Sequence, residues 1–212
     1  MSNILGRAQA QFPSVLLTLI SIIQALALEL LWSEITGSSY LWELTYDSVV
    51  AWAMISATLL GILQIWVTYT TLVMGFTWVP SLRDSIFPFV IGIQEFMLVT
   101  MISDDFSGSW LYVLASIFVT TNWVTQISLR RARREPENSQ FFDGRERATL
   151  RDFRWAIAII GILTAFGIWV DIAGNTSWLP IVAVAFANVV IILQVFSSSR
   201  LWKVLMKLPD SP

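Results

Sequence analysis

Glu95 is the residue that most needs a chemical reason. It stands beside Gln94, ten residues into an apolar stretch running from Ser85 to Ser103. An ionisable side chain in the middle of a membrane-length stretch costs about 2.5–3.5 kcal/mol on insertion scales, so something must compensate it. Three arrangements do so. The carboxyl can keep its proton, because burial disfavours the charged form. It can accept hydrogen bonds from carboxamides on other helices. Or it can hold a cation. Two of these three are working states of a proton or cation pathway.

The carboxamides are there to be used. Gln24, Gln64, Asn122, Gln126, Asn188 and Gln194 all fall inside apolar stretches. Asn122 and Gln126 are four apart and share one helix face. A carboxamide facing lipid leaves donors and acceptors unmet, so this set is predicted to point inward, either as a hydrogen-bonded core or as the lining of a wet path. Glu29, near the outer end of the first stretch, is read as an interfacial or vestibule carboxylate. A rim of acids, Glu34, Glu43, Asp47, Asp104, Asp105 and Asp171, lies in the segments between stretches that contain no basic residue, where it attracts cations.

These residues must be positioned by helices. Of 212 residues, 56% are hydrophobic and 13% charged, with 11 Trp and no Cys or His. A soluble domain carries about 25% charged residues, so a soluble enzyme and a disordered chain are both excluded. Without Cys and His, the usual ligands of zinc, haem and iron–sulfur centres are missing, and no cofactor is expected. Six stretches meet the length of roughly 20 mainly apolar residues for a membrane helix: about 13–33, 48–75, 85–103, 110–129, 155–172 and 178–196. The expected fold is therefore all-α, a single transmembrane domain over residues 1–212 with six spans. Arg7 and the Ala25-Leu26-Ala27 triplet also resemble a signal peptide. Six retained spans already satisfy the charge pattern, so the first is read as a span.

Orientation follows from the basic residues. All 13 Lys and Arg fall in 1–12, 76–84, 130–154 and 197–212, and none in the three intervening connections. The positive-inside rule then places both termini in the cytoplasm. The loop 130–154 carries Arg130, Arg131, Arg133 and Arg134 at one end and Arg145, Arg147, Arg151 and Arg154 at the other. It is read as a solvated topology signal around Pro136 and Asn138-Ser139 that can also meet anionic lipid headgroups. Trp32, Trp78, Trp110, Trp155, Trp178 and Trp202 sit near span ends, where aromatic belts form. In the fifth span, Gly161 and Ala165 form a small-xxx-small pair expected to permit close helix packing.

The sequence also matches itself at an offset of 68 residues. Leu82-Arg83-Asp84 aligns with Leu150-Arg151-Asp152, Ser109-Trp110-Leu111 with Ser177-Trp178-Leu179, and Gln126 with Gln194. This makes spans 3–4 and 5–6 two helical-hairpin repeats. Spans 1–2 are a candidate third copy, which would give three hairpins around a pseudo-threefold axis.

No Arg-rich voltage sensor, potassium-type filter, P-loop, dinucleotide fingerprint or serine-nucleophile elbow is present. Nucleic-acid binding is not expected. The reading is a small cation or proton channel or transporter of a cytoplasmic membrane, bacterial by its short loops, with Glu95 in a carboxamide-lined bundle. Its alternative is a non-transporting subunit, scaffold or sensor that packs against partner membrane proteins. A membrane enzyme on lipid-linked substrates, using the Asp104-Asp105 pair, ranks below both, and the chain is read as not an enzyme. Homo-oligomerisation is expected because six short spans enclose little space on their own.

Overall fold

A computed structural model of the chain describes residues 2–79, 81–103, 105–142, 153–173 and 178–205. Among the described residues, all regular secondary structure is helical. The helices are α1 (Ser2–Gly37), α2 (Tyr46–Gly75), α3 (Leu82–Thr100), α4 (Gly108–Ala132), the short α5 (Ser139–Phe142), α6 (Arg154–Ala173) and α7 (Leu179–Leu205). Short 3-10 turns occupy Ser39–Trp42 and Pro136–Asn138. Pro13 lies inside α1 and Pro88 inside α3.

Four helices are long and apolar enough to cross a membrane: α1 from Gln9, α2, α6, and α7 as far as Arg200. The molecule is thus an all-helical membrane protein by length and composition, with an exterior of apolar side chains such as Trp155, Trp169 and Ile172. α3 and α4 are not among the four. α3 carries Arg83, Asp84, Gln94 and Glu95 within 19 residues, and α4 carries Asn122, Gln126 and three threonines. Both fall short for the same reason: these polar side chains lower their mean hydropathy.

The six long helices close into a ring in the order α1, α3, α4, α6, α7, α2, with α6 and α7 the loosest neighbours. Side-chain bonds give the directions. Asn188 donates to the Ala53 carbonyl and Gln64 to Ser198, a nearly constant separation, so α2 and α7 run parallel. Gln94 reaches Ser116 and Thr120, and Phe87 meets Trp123, so α3 and α4 run antiparallel. The pseudo-threefold expectation does not hold. Three hairpins of one sense would set α2 beside α3 and α7 beside α1. Here α1 lies on α3 and α2 on α7, so the first hairpin sits in the reverse sense.

Close approaches occur where glycine allows them. A Cβ on Gly92 would run into the Ile23 side chain, where α3 meets α1. At the α4–α6 crossing, a Cβ on Gly108 would strike the Gly167 carbonyl and Asp171, and one on Gly167 would strike the Tyr112 ring. Gly161 and Ala165 correct the small-residue expectation. Gly161 has open space around it and Ala165 is exposed, so the pair faces outward and the packing glycine is Gly167. The register of α6 is fixed instead by Asp171, which accepts from Gly108 N at 2.9 Å and from Tyr112 Oη at 2.8 Å.

The tryptophan expectation divides. Trp32, Trp155 and Trp178 are exposed at helix ends, as a belt requires. Trp110 is fully buried and Trp78 nearly so; both belong to the core. The basic loop also differs from a solvated connection over its described part. Asn138 is buried, accepts from Thr77 N at 3.1 Å and donates to the carbonyls of Thr77 and Ala132. Phe141 and Phe142 pack on Phe76, and the Arg133 guanidinium lies 4.8 Å from the Phe142 ring centre. The loop docks because two aromatic rings and one carboxamide find partners beyond the end of α2. Arg145, Arg147 and Arg151 lie outside the described residues.

Gly108→Val forces a side chain into the α4–α6 crossing. Overpacking of this kind destabilises by about 1–3 kcal/mol. Denaturant unfolding in detergent should show that loss, and a variant as stable as the parent would show that the crossing is looser than described.

Candidate functional site

α3 presents Glu95 to the interior, where its carboxyl is 1% exposed. Its partner comes from α1. Gln24 Nε2 donates to both carboxyl oxygens, at 2.8 and 3.0 Å. Gln24 is itself buried, and its Oε1 has no hydrogen-bond partner. A carboxamide and a carboxylic acid can close a ring of two hydrogen bonds, amide N–H to carboxyl oxygen and carboxyl O–H to amide oxygen. Here Nε2 spans both carboxyl oxygens, so closing the ring takes a turn of the amide.

On its other side Glu95 lines a cavity of about 330 Å³ bounded by α2, α3, α4 and α7. Gln64, Asn122 and Gln194 line it too, together with Thr58, Thr68, Thr121, Thr125, Ser197 and Ser198. Apolar walls come from Ile62, Ile65, Ile91, Leu114, Phe118 and Ile191, among others. The cavity extends from the depth of Glu95 toward the helix ends that carry Arg83, Arg131 and Arg200. In the opposite direction, the interior is filled by Met54, Trp110, Leu111, Ile102 and Val184, all buried in one apolar cluster.

The hydrogen-bond polarity of the lining leans toward acceptors. Thr121 donates to the Ile117 carbonyl at 2.8 Å, and Thr125 donates to that of Thr121 at 2.8 Å. Asn122 Nδ2 donates to the Phe118 carbonyl at 2.7 Å, which uses one of its two hydrogens. Gln64 Nε2 donates to Thr68 Oγ1 and Ser198 Oγ, at 3.0 and 2.7 Å. Thr121, Thr125 and Gln64 thus spend their hydrogens on the helix or a neighbour and keep oxygen lone pairs, while the Thr68 and Ser198 hydroxyls retain hydrogens to give. Gln64 Oε1 and Thr58 Oγ1 are buried in the lining with no partner. Among the described residues, no Lys or Arg lines the cavity. Lone pairs plus a carboxyl group make a surface for cations and hydrogen-bond donors.

The structure thus gathers four of the nine expected pathway residues, Glu95, Gln64, Asn122 and Gln194, around one space, with Gln24 behind Glu95. The others serve elsewhere. Gln94 staples α3 to α4 through Ser116 and Thr120. Asn188 ties α7 to α2. Gln126 is half-buried and outside the lining, and Glu29 is exposed. The sequence reading missed the hydroxyls, Thr58, Thr121, Thr125, Ser197 and Ser198. One signal for them existed: Thr121, Asn122 and Thr125 lie on adjoining positions of a single helix face.

The acidic rim is partly reassigned. Asp171 is held by Tyr112 and Gly108, so it is an inter-helix tie rather than a free rim charge. Glu34 accepts from Ser38 Oγ at 2.7 Å. Glu43, Asp47 and Asp105 are exposed, and Asp104 lies outside the described residues. Among the described residues, no group of three or more acidic side chains is placed to hold a metal ion.

At the basic end, Arg131 Nη1 bonds Asp84 Oδ1 and Ser81 Oγ, both at 2.7 Å. Asp84 Oδ2 accepts from Ser81 N at 2.8 Å, capping α3, and Tyr69 Oη donates to the Asp84 carbonyl at 3.0 Å. This knot joins α2, α3 and α4 just beyond the cavity.

No protein-family model matches the chain, and neither does any curated protein or solved structure.

The Gln24–Glu95 bond can be tested by a double-mutant cycle. Gln24→Leu leaves a buried carboxyl unpartnered and should lose about 1–3 kcal/mol of stability. Adding Glu95→Leu should restore part of the loss, with a coupling of about 0.6–1.7 kcal/mol, the range of interhelical hydrogen bonds in membrane proteins. Purely additive effects would mean that the two side chains do not interact.

Proposed function

We propose that the chain is a small-cation or proton transporter or channel of a cytoplasmic membrane, with Glu95 as the pathway carboxyl. The observation that carries this is the lining: a buried carboxyl and a set of lone-pair oxygens around one cavity, with no basic side chain among the described residues that line it. A space of this polarity lowers the energy of a cation and raises that of an anion.

In this reading α3 and α4 cross the membrane with the other four helices, giving six spans, and both termini are cytoplasmic. The ring supports it, because α3 and α4 complete the circle and turn their polar residues inward. The cavity then faces the cytoplasm. Cations drawn by Glu43, Asp47 and Asp105 at the outer end meet an apolar stretch before Glu95, which favours a gated route over an open pore. The 68-residue hairpin relation is retained for spans 3–4 and 5–6. Arg130 and Arg134, exposed at the end of α4, are the basic residues placed to meet anionic headgroups.

A second reading, a non-transporting subunit, draws on α6. Its outer face, with Gly161 and Ala165, leaves room for a helix of another chain or a second copy. Co-purification of a fixed partner in mild detergent would favour it.

The test of the first reading is flux. In proteoliposomes under a potential, the parent should pass protons or an alkali cation, and Glu95→Gln should reduce the rate by tenfold or more, on the order of a lost intramembrane charge. Gel filtration and helical content should be unchanged. Equal flux in parent and variant would remove Glu95 from the pathway.

A further inference from the structure

The dimensions and walls of the cavity say more than its charge preference. A divalent cation such as Ca²⁺ or Mg²⁺ needs several oxygens converging at about 2.0–2.6 Å. The described lining does not offer that cage: Glu95 is its one carboxyl, and the polar atoms are interspersed with isoleucine, leucine and phenylalanine around about 330 Å³. A site that combines apolar walls with a few placed polar groups is built for an organic molecule. Two groups of the lining can only accept, an ionised Glu95 and Gln64 Oε1, so the molecule that meets them donates. Gln64 Oε1 and the Thr58 hydroxyl are buried with no protein partner. Thr58 is 1% exposed and lines the same space as Glu95.

We infer that the cavity binds an organic ammonium ion, with its N–H groups on Glu95 and the neighbouring oxygens and its apolar body against Ile62, Ile91, Leu114, Phe118 and Ile191. The inference rests on the cation-pathway reading and names its ligand class. It also implies an exchange. Without ligand, a protonated Glu95 can donate its O–H to the unpartnered Gln24 Oε1 once the amide turns so that Nε2 keeps a single carboxyl oxygen. With an ammonium bound, Glu95 is the carboxylate counter-ion, and its proton leaves to solvent. One cation thus replaces one proton, and the net charge of the site is unchanged. No basic residue from α2, α3, α4 or α7 lines the cavity to alter this balance. Tyr69 is the other titratable group of the lining, and its hydroxyl is engaged with the Asp84 carbonyl.

Gly61 provides a variant that leaves the carboxyl alone. It lines the cavity from α2, and a Cβ there meets nothing within 4 Å. Gly61→Leu therefore fills ligand space without disturbing the helix contacts.

The experiment uses the full chain in detergent micelles. Phenethylammonium is titrated calorimetrically in two buffers of different ionisation heat, with 2-phenylethanol as the neutral analogue and potassium as the inorganic cation. Saturable binding of phenethylammonium alone is expected, with release of about one proton per cation bound at a pH where Glu95 begins protonated. Glu95→Gln should abolish the binding, and Gly61→Leu should weaken it by roughly tenfold or more. Should Glu95→Gln fail to fold, Gly61→Leu decides the question. Saturable binding that persists unchanged in Gly61→Leu, or that phenylethanol matches, overturns the inference. No binding, together with Glu95-dependent flux of protons or potassium in proteoliposomes, overturns it while the pathway reading stands. Absence of both removes both.

Discussion

A carboxyl group that is 1% exposed in the middle of an apolar helix must find hydrogen-bond partners close by, and Glu95 finds a single side chain, Gln24. That requirement fixes much of the rest. Gln24 and Glu95 lie near the middles of α1 and α3, so these helices must pack side by side over their central turns. They can do so because α3 offers Gly92 against Ile23 at the same level. Pressing α1 onto α3 leaves α2 to find another neighbour, and it takes α7, which it meets in parallel through Asn188 and Gln64. The reversed first hairpin and the cavity among α2, α3, α4 and α7 are both compatible with that single pairing.

The two ends of the bundle are secured by different means. At the basic end, an ion pair, a capping box and a tyrosine hydroxyl converge on Asp84, and the following loop is held by Asn138 and a cluster of three phenylalanines. At the acidic end, Asp171 joins α6 to α4, and the space between is filled by Trp110, Phe106 and Leu111. One end therefore carries its polar ties at the rim with a cavity behind them, and the other is closed by apolar packing. Packed cores have discrete arrangements rather than continuous ones, so a route past Trp110 and Met54 requires a second arrangement of the acidic half.

The parts legible in the sequence were those set by local composition. Helix positions followed from apolar runs, and Glu95 stood out because ionisable groups are rare at that depth. Pairings between helices were not legible. Gln24 and Gln94 are the same residue type at similar depths, yet one holds the Glu95 carboxyl and the other staples α3 to α4. The difference lies in which face each presents to which neighbour. Trp110 read as an interfacial anchor because Trp near a span end usually is one; the close α4–α6 crossing at Gly108 goes with its burial. The threonines escaped notice because a helical threonine usually bonds the carbonyl four residues back and looks inert. Here that same bond turns Thr121 and Thr125 into pure acceptors. Asp171 read as one acid among six because its partners, Tyr112 and a backbone amide, lie on a helix some sixty residues away in the chain.

Because the hydroxyl hydrogens of Thr121 and Thr125 and one amide hydrogen of Asn122 are absorbed by carbonyls of their own helix, the polarity of this wall is a property of helical geometry as much as of residue identity. Serine, threonine or asparagine at position 121, 122 or 125 would each turn lone pairs toward the same space. Such a lining can change its composition widely and stay rich in lone pairs. Position 95 has no such freedom, since no neutral residue supplies a negative charge, and position 24 must offer it a donor. The site therefore divides into a tolerant surface and two exacting positions.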